Sequence, residues 1–252
     1  MPIRVTRSVI PSLFTTMNLF SGFFAIVQAS LGEYPTAAWL IVLGGIFDAL
    51  DGAMARLTKS SSEFGVELDS LADVVTFGTA PSFLLWAAFF RDWGAIGVVI
   101  AALPAIAGSL RLARFNVQLV GFDKDYFVGC PIPTAAIVII SYLVFFHLPP
   151  DSFVPAAMKP ALLATITIGV SALMVSTIRY DTLPGFSLGA IKAQPVKSAA
   201  VILGLVICIA TQGWAIFPVL ALYLVFGIVR QIVAMMRAGH EVVPADDDAF
   251  DV

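Results

Sequence analysis

Eight apolar segments follow one another along this chain, separated by short connections. Most of them reach the roughly 20 residues that a helix needs to cross the hydrocarbon core of a bilayer, although the fifth and seventh are shorter. Lipid offers no partner to an unpaired backbone N–H or C=O group, so such segments must be helical. The sequence therefore predicts an all-α integral membrane protein with about eight transmembrane helices, at residues 11–31, 35–57, 66–90, 94–115, 132–148, 158–178, 197–211 and 214–236.

Composition supports this fold class and separates the last residues from the rest of the chain. Hydrophobic residues make up 59% of the chain and charged residues 12%, where a soluble domain carries about 25% charged residues. Residues 239–252 contain five acids and no Lys or Arg, which predicts a disordered acidic cytoplasmic tail after a transmembrane catalytic domain at 1–238. Lys and Arg are dispersed rather than clustered, so a nucleic-acid partner is not expected.

The basic residues predict the orientation in the membrane. With the N-terminus inside, 12 of the 14 Lys and Arg fall on the inner side, and only Arg91 and Lys159 fall on the outer side. Short cytoplasmic loops carry an excess of basic residues, so we expect both termini to be cytoplasmic and the protein to lie in the inner membrane.

Four aspartates stand near the inner ends of two neighbouring spans. Asp48 and Asp51 are three residues apart, and Asp69 and Asp73 are four apart, so each pair lies on one helical face. The short polar connection between the spans makes them antiparallel neighbours. We therefore expect all four carboxylates to converge just inside the cytoplasmic boundary.

A group of four carboxylates needs a positive counterpart, because like charges destabilise one another's ionised form. Oxygen ligands without His or Cys favour Mg²⁺, Mn²⁺ or Ca²⁺ over zinc. Two divalent ions would balance the four charges. The other interpretation is a set of helix-end aspartates that are simply solvated at the interface.

The complete string that contains these acids resembles the signature of the CDP-alcohol phosphatidyltransferase family. It follows D-x2-D-G-x2-A-R-x8-G-x3-D-x3-D at every fixed position, namely Asp48, Asp51, Gly52, Ala55, Arg56, Gly65, Asp69 and Asp73. The span layout from 11 to 178 is also similar to the family's six-helix core. The resemblance implies an enzyme that displaces CMP from a CDP-linked lipid with the hydroxyl of a second substrate.

The resemblance also implies roles for individual residues. Asp48, Asp51 and Asp69 would bind two Mg²⁺ or Mn²⁺ ions, and Asp73 would bind one of them and act as the general base. The CDP-lipid would contact Thr15, Gly52, Ala55, Arg56, Ser62 and Gly65. Other interpretations remain for some of these residues: helix packing for Gly52 and Ala55, a topological anchor for Arg56, and a hydrogen bond to its own helix for Thr15.

Further stretches resemble the branch of the family that takes L-serine as acceptor and CDP-diacylglycerol as donor. They are Val74–Pro81, Arg111–Asn116, Gly129–Pro133 and Thr182–Ser187. Arg111, Arg114 and Asn116 stand at the inner end of the fourth span, level with the aspartates, and a guanidinium can bind the serine carboxylate with two hydrogen bonds. These two arginines could instead bind lipid phosphates or set topology, and Asn116 could cap its helix.

Two other functions remain open from the sequence. A related enzyme could use glycerol phosphate or inositol phosphate, although Val74 stands where a glycerol-phosphate enzyme is expected to carry Lys. A divalent-ion transporter would place its acids near the membrane midplane rather than at one end of the spans. Membrane lipids are expected partners, and the resemblance allows for a homodimer.

Overall fold

The computed structural model describes residues 9–58, 63–118, 126–181 and 195–238. Helices form most of this part of the chain, with one pair of short strands. The α-helices in chain order are α1 Val9–Ser30, α2 Tyr34–Thr58, α3 Glu63–Asp73, α4 Ala80–Ala88, α5 Gly94–Gln118, α6 Ile132–Tyr142, α7 Lys159–Val175, α8 Pro195–Ala210 and α9 Ile216–Ala238.

Five helical stretches in the described part of the chain are long and apolar enough to cross a membrane. They are Leu13–Ser30, Tyr34–Leu57, Glu63–Ala88, Phe90–Val117 and Ile216–Met236. Three shorter apolar helices occupy Ile132–His147, Lys159–Val175 and Ser198–Ala210. Together they match the eight predicted segments, and the protein is an all-helical integral membrane protein. The fifth and seventh are short, as predicted, and so is the sixth.

The third span is central and is not a uniform α-helix. Within its most apolar stretch of 18 residues, 61% are buried, against 33% or less in the corresponding stretches of the other four long spans. Helix α3 ends at Asp73, a π-helical turn follows at Val74–Thr79, and α4 completes the span. Wide turns of this kind often occur at functional sites, and this one begins directly after the last aspartate.

Two glycines allow the first and second spans to approach this π-helical turn closely. A Cβ atom at Gly22 of α1 would lie 2.4 Å from Oγ1 of Thr76, and one at Gly44 of α2 would lie 2.5 Å from its Cγ2. No other residue fits at these positions without a shift of the neighbouring helix, because atoms in a packed interior are already in contact. Small residues at helix crossings are the usual means of close packing within membranes.

The structure contains a small antiparallel sheet that the sequence did not predict. Strand β1, Tyr126–Val128, pairs with strand β2, Arg179–Asp181. It joins the connection before α6 to the one after α7. Each strand has only three residues, too few to produce the alternating pattern by which strands are predicted.

The last span is fastened to this sheet. Nη2 of Arg230 in α9 donates a hydrogen bond of 2.6 Å to the carbonyl oxygen of Arg179. The buried ring of Tyr180 packs against Gly227, where a Cβ would lie 2.4 Å from the ring. The sheet is therefore held from the α9 side.

Gly22→Val should destabilise the protein, because its side chain would overlap Thr76 and overpacking costs about 1–3 kcal/mol. Gly169→Val is a matched control, since a Cβ at Gly169 of α7 meets nothing within 4 Å. Thermal unfolding in detergent should show a lower Tm for Gly22→Val alone. Equal melting temperatures for the two variants would contradict the close approach.

Candidate active site

Three of the four aspartates form a compact group between the C-terminal part of α2 and the C-terminal half of α3. Asp48, Asp69 and Asp73 each offer a carboxylate oxygen, and these three oxygens lie within 4.8 Å of one another. Asp69 and Asp73 share a face of α3 because they are one turn apart. Asp48 meets them from α2, as the antiparallel arrangement of the two spans predicts.

The surroundings of this group suit a divalent cation. Asp73 is buried, with 8% of its surface exposed, and Asp48 and Asp69 are half-buried. Three negative charges this close, and partly removed from water, repel one another strongly. Oxygen-only donors fit Mg²⁺ or Mn²⁺, so the residues present match the ions that the family resemblance implies.

Asp51 lies beside this group rather than within it. Oγ1 of Thr15 donates a 2.5 Å hydrogen bond to Oδ2 of Asp51, and Oδ1 is buried with no hydrogen-bond partner among the described residues. The Asp51 charge still acts on Asp48 and Asp69. One oxygen is thus held in place, and the other is an acceptor of the kind that could bind a cation. The sequence predicted that all four carboxylates would converge, and the structure separates this one.

The remaining motif residues that the structure describes lie on the same two helices as the acids. A Cβ at Gly52 would meet only Nη1 of Arg56, at 3.4 Å, among the described atoms within 4 Å. A glycine at residue 52 is therefore not needed for packing against another described helix. The guanidinium of Arg56 extends back over it. Ala55 and Gly65 are half-buried, and Arg56 is exposed. Ser62 lies outside the described residues.

Arg111 and Arg114 stand one turn apart on α5 but have different surroundings. Arg111 is buried, with 6% of its surface exposed, and its charge acts on Asp73. Cys130 and Arg114 are its other titratable neighbours, and burial raises the pKa of the Cys130 thiol to about 12. A neutral thiol does not compete with Asp73 for the guanidinium charge.

The guanidinium of Arg114 instead donates hydrogen bonds to backbone carbonyl oxygens. Its Nη1 donates to the carbonyl oxygen of Val175 at 3.1 Å, and its Nη2 donates to those of Ser176 and Val128 at 3.2 and 3.4 Å. These contacts join α5 to the end of α7 and to β1. The structure does not bring Arg114 to the acids, where the sequence interpretation had placed it with Arg111.

Asn116 also makes a structural contact. Its Nδ2 donates a 3.0 Å hydrogen bond to Oγ of Ser70, the residue after Asp69. The pair holds the inner end of α5 against α3. This contact differs from both earlier interpretations of Asn116, the serine ligand and the helix cap.

One residue that the sequence interpretation overlooked lies directly behind the acids. Nδ2 of Asn18 donates a 3.2 Å hydrogen bond to Oδ1 of Asp73, and the Asn18 side chain is fully buried. A carboxamide within an apolar span is itself a signal, because polar groups are costly there. The sequence did not indicate which residue Asn18 contacts, since 55 positions separate it from Asp73.

Comparisons with known proteins agree with this geometry. The family model for CDP-alcohol phosphatidyltransferase matches residues 8–174. A CDP-diacylglycerol–serine O-phosphatidyltransferase of Helicobacter pylori is 36% identical over 90% of this chain and 92% of its own length. An archaetidylserine synthase of Methanothermobacter thermautotrophicus is 39% identical over 70% of this chain and 71% of its own. A CDP-diacylglycerol–serine O-phosphatidyltransferase of Bacillus subtilis is 36% identical over 68% of this chain and 89% of its own.

The chain belongs to the CDP-alcohol phosphatidyltransferase family. Members of this family generally use divalent metals. The family model ends within α7, so α8 and α9 lie beyond the part that it matches.

Thr15→Val should weaken binding of Mn²⁺ alone by about 10–100-fold, because Asp51 loses the hydrogen bond that orients it. Thr15→Ser keeps the hydroxyl and should bind like the unaltered protein. Electron paramagnetic resonance of purified protein titrated with Mn²⁺ measures the affinity.

Ser21→Ala is the control for the Thr15 variants, since the Ser21 hydroxyl donates only to its own helix, at the carbonyl oxygen of Met17. Its Mn²⁺ affinity should be unchanged. Unaltered affinity in Thr15→Val would contradict a role for Asp51 as a ligand held by Thr15.

Proposed function

We propose that this protein transfers the phosphatidyl group of CDP-diacylglycerol to L-serine, giving phosphatidylserine and CMP. The observation that carries the proposal is the group formed by Asp48, Asp69 and Asp73 with Asp51 beside it, which belongs to a complete family signature. The relatives that match across most of the chain supply the choice of serine as acceptor.

Asp48, Asp51, Asp69 and Asp73 are the proposed ligands of two Mg²⁺ or Mn²⁺ ions. When bound, such ions neutralise the charge that develops on the pyrophosphate and on the departing CMP. The proposal draws on the close approach of three carboxylates and on the unpaired Oδ1 of Asp51. In this proposal Thr15 positions the Asp51 carboxylate through its hydrogen bond to Oδ2.

The CDP-lipid is proposed to lie over the inner end of α2. Gly52 and Ala55 leave room for the nucleotide, and Arg56 extends over Gly52 toward the same space. A guanidinium there can bind the pyrophosphate with two hydrogen bonds. Gly65 and Ser62 complete the proposed surface from the start of α3 and from the connection before it.

Asp73 is the proposed general base. The serine hydroxyl oxygen forms a bond to the phosphorus that carries the diacylglycerol, and the bond from that phosphorus to the CMP oxygen breaks. The hydroxyl proton passes to Asp73, and CMP leaves with the electron pair. A positioned base of this kind contributes about 10²–10⁴-fold to the rate.

Arg111 is the proposed partner of the serine carboxylate. It is buried and close enough to Asp73 for the two charges to interact, so a carboxylate held there would bring the serine hydroxyl close to the base. Arg114 and Asn116 are proposed to support this subsite by holding α5 to its neighbours rather than by touching serine.

The proposed orientation puts both termini and the active site on the cytoplasmic side of the inner membrane. The excess of basic residues at the inner ends of the spans supports it. The division into a catalytic part at 1–238 and a tail at 239–252, which lies outside the described residues, is likewise a proposal. The proposal includes membrane lipids as neighbours and a homodimer as the assembly.

The proposed reaction is tested by incubating purified protein with CDP-diacylglycerol, Mn²⁺ and, in separate reactions, L-serine, glycerol 3-phosphate, inositol 1-phosphate or no acceptor. We expect CMP release and phosphatidylserine only with L-serine, identified by mass spectrometry of the lipid. Asp48→Asn and Asp69→Asn should each abolish turnover, because they remove proposed ligands. A different lipid product would show that the acceptor is not L-serine. The absence of any product would overturn the proposed reaction.

Arg111→Gln and Arg114→Gln should separate the roles of the two arginines. Arg111→Gln should raise the serine KM by at least about tenfold, because a charge-assisted contact is lost, while the KM for CDP-diacylglycerol changes little. Arg114→Gln should mainly lower the Tm, because it releases three backbone carbonyls. An unchanged serine KM in Arg111→Gln would contradict its role at the acceptor.

A further inference from the structure

Asn18 is a fully buried polar side chain in the first span. Its Nδ2 donates to Oδ1 of Asp73, and its main-chain carbonyl oxygen accepts a 2.9 Å hydrogen bond from Oγ1 of Thr76. The residue therefore connects α1 to the third span through both its side chain and its backbone. The proposed function above assigns it no role.

We propose that Asn18 is a positioning residue that holds the Asp73 carboxylate in its reactive orientation. This inference rests on the proposed function, since it concerns the base of that reaction. Asn18 is not itself a catalytic residue, because it acts through Asp73.

The packing around Asn18 leaves its amide little freedom. A Cβ at Gly44 would lie 3.0 Å from Oδ1 of Asn18, so this oxygen faces the α2 backbone at close range. Oδ1 has no hydrogen-bond partner among the described residues. Among the described residues, the contact with Asp73 is therefore the one side-chain hydrogen bond of this amide, and it decides which way the amide points.

A buried acceptor without a partner costs about 1–3 kcal/mol. An apolar side chain of similar size would avoid that cost and would still fill the space between the three helices. The presence of a carboxamide is therefore explained by its donor, which points at Asp73, rather than by packing alone.

A neutral donor is suited to this position. Asp73 has two carboxylate oxygens, and the hydrogen bond engages Oδ1, which leaves Oδ2 available to a proton or a cation. A Lys or Arg at residue 18 would neutralise the carboxylate and compete with a divalent ion for it. The carboxamide orients the charge without cancelling it.

The close-packed helices make this orientation persistent. Gly22 and Gly44 let α1, α2 and the π-helical turn approach closely, and Asn18 lies within that contact. A carboxylate held by a fixed donor needs less reorganisation when the substrate arrives. The consequence should appear in the catalytic step rather than in substrate binding.

The test compares Asn18→Leu and Asn18→Ala with the control Thr76→Val. Asn18→Leu keeps similar volume without the donor, and Asn18→Ala covers the possibility that leucine does not fit. Thr76→Val removes a hydrogen bond from the same packed contact, but none of the Thr76 hydrogen bonds described involves Asp73. Each purified variant is assayed for kcat, serine KM, CDP-diacylglycerol affinity by calorimetry, Mn²⁺ affinity and Tm.

Both Asn18 variants should lose about 10–100-fold in kcat, the usual effect of removing a partner behind an active-site ligand. Their serine KM and their affinities for CDP-diacylglycerol and Mn²⁺ should stay within about threefold of the unaltered protein. Thr76→Val should lower the Tm and keep kcat within about threefold.

Two results would overturn the inference. One is a kcat within about threefold of the unaltered protein in either folded Asn18 variant. The other is a parallel loss of kcat, binding and Tm that Thr76→Val reproduces, which would reduce Asn18 to a packing residue. The unaltered protein is assayed alongside with the acceptor that it uses, so failure of the serine assignment is recognised separately.

Discussion

Mutual repulsion among the clustered carboxylates is the constraint on which the rest of the structure depends. Three acidic oxygens lie within 4.8 Å of one another, and Asp73 is buried. Where the dielectric constant is low, such a group is unfavourable without positive partners, so the surrounding fold must hold the carboxylates together against their own charge. The close packing of α1, α2 and the third span does this. The same helices place Thr15 beside Asp51 and Asn18 beside Asp73.

The third span joins the structural centre to the candidate site. Its N-terminal half provides Asp69 and Asp73, and its C-terminal half provides the fully buried side chains of Leu84 and Leu85. The π-helical turn lies between these halves and presents Thr76 to α1. A displacement of this span would therefore disturb the packing and the acidic group together. Close approach at Gly22 and Gly44 limits such a displacement, because α1 and α2 are already in contact with the π-helical turn there.

The spans and the acidic pairs could be predicted because both depend on local pattern. Runs of about 20 apolar residues have one stable solution in lipid, and a spacing of three or four residues places two side chains on one helical face. Contacts between distant residues have no such pattern. The partners Thr15 and Asp51 are separated by 36 positions, and Asn18 and Asp73 by 55. The contacts of Arg114 were unpredictable for another reason, since its acceptors are backbone carbonyls that every residue possesses.

Arg111 and Arg114 show how position along one helix face separates two functions. Both have the same chemistry and the same topological preference, yet one turn of α5 carries Arg114 past the acids to the ends of α7 and β1. There Arg114 contacts the sheet, which α9 also contacts. Arg230 of α9 donates to Arg179, and Gly227 of α9 packs against the ring of Tyr180. A continuous series of contacts thus runs from the last span to the residue one turn from Arg111. Because a guanidinium binds a carboxylate best in a fixed, planar arrangement, rigidity in this part of α5 favours a defined acceptor geometry. Helix α9, which lies beyond the part that the family model matches, thus restrains the frame of the candidate site, while the proposed ligands and the proposed base come from the second and third spans.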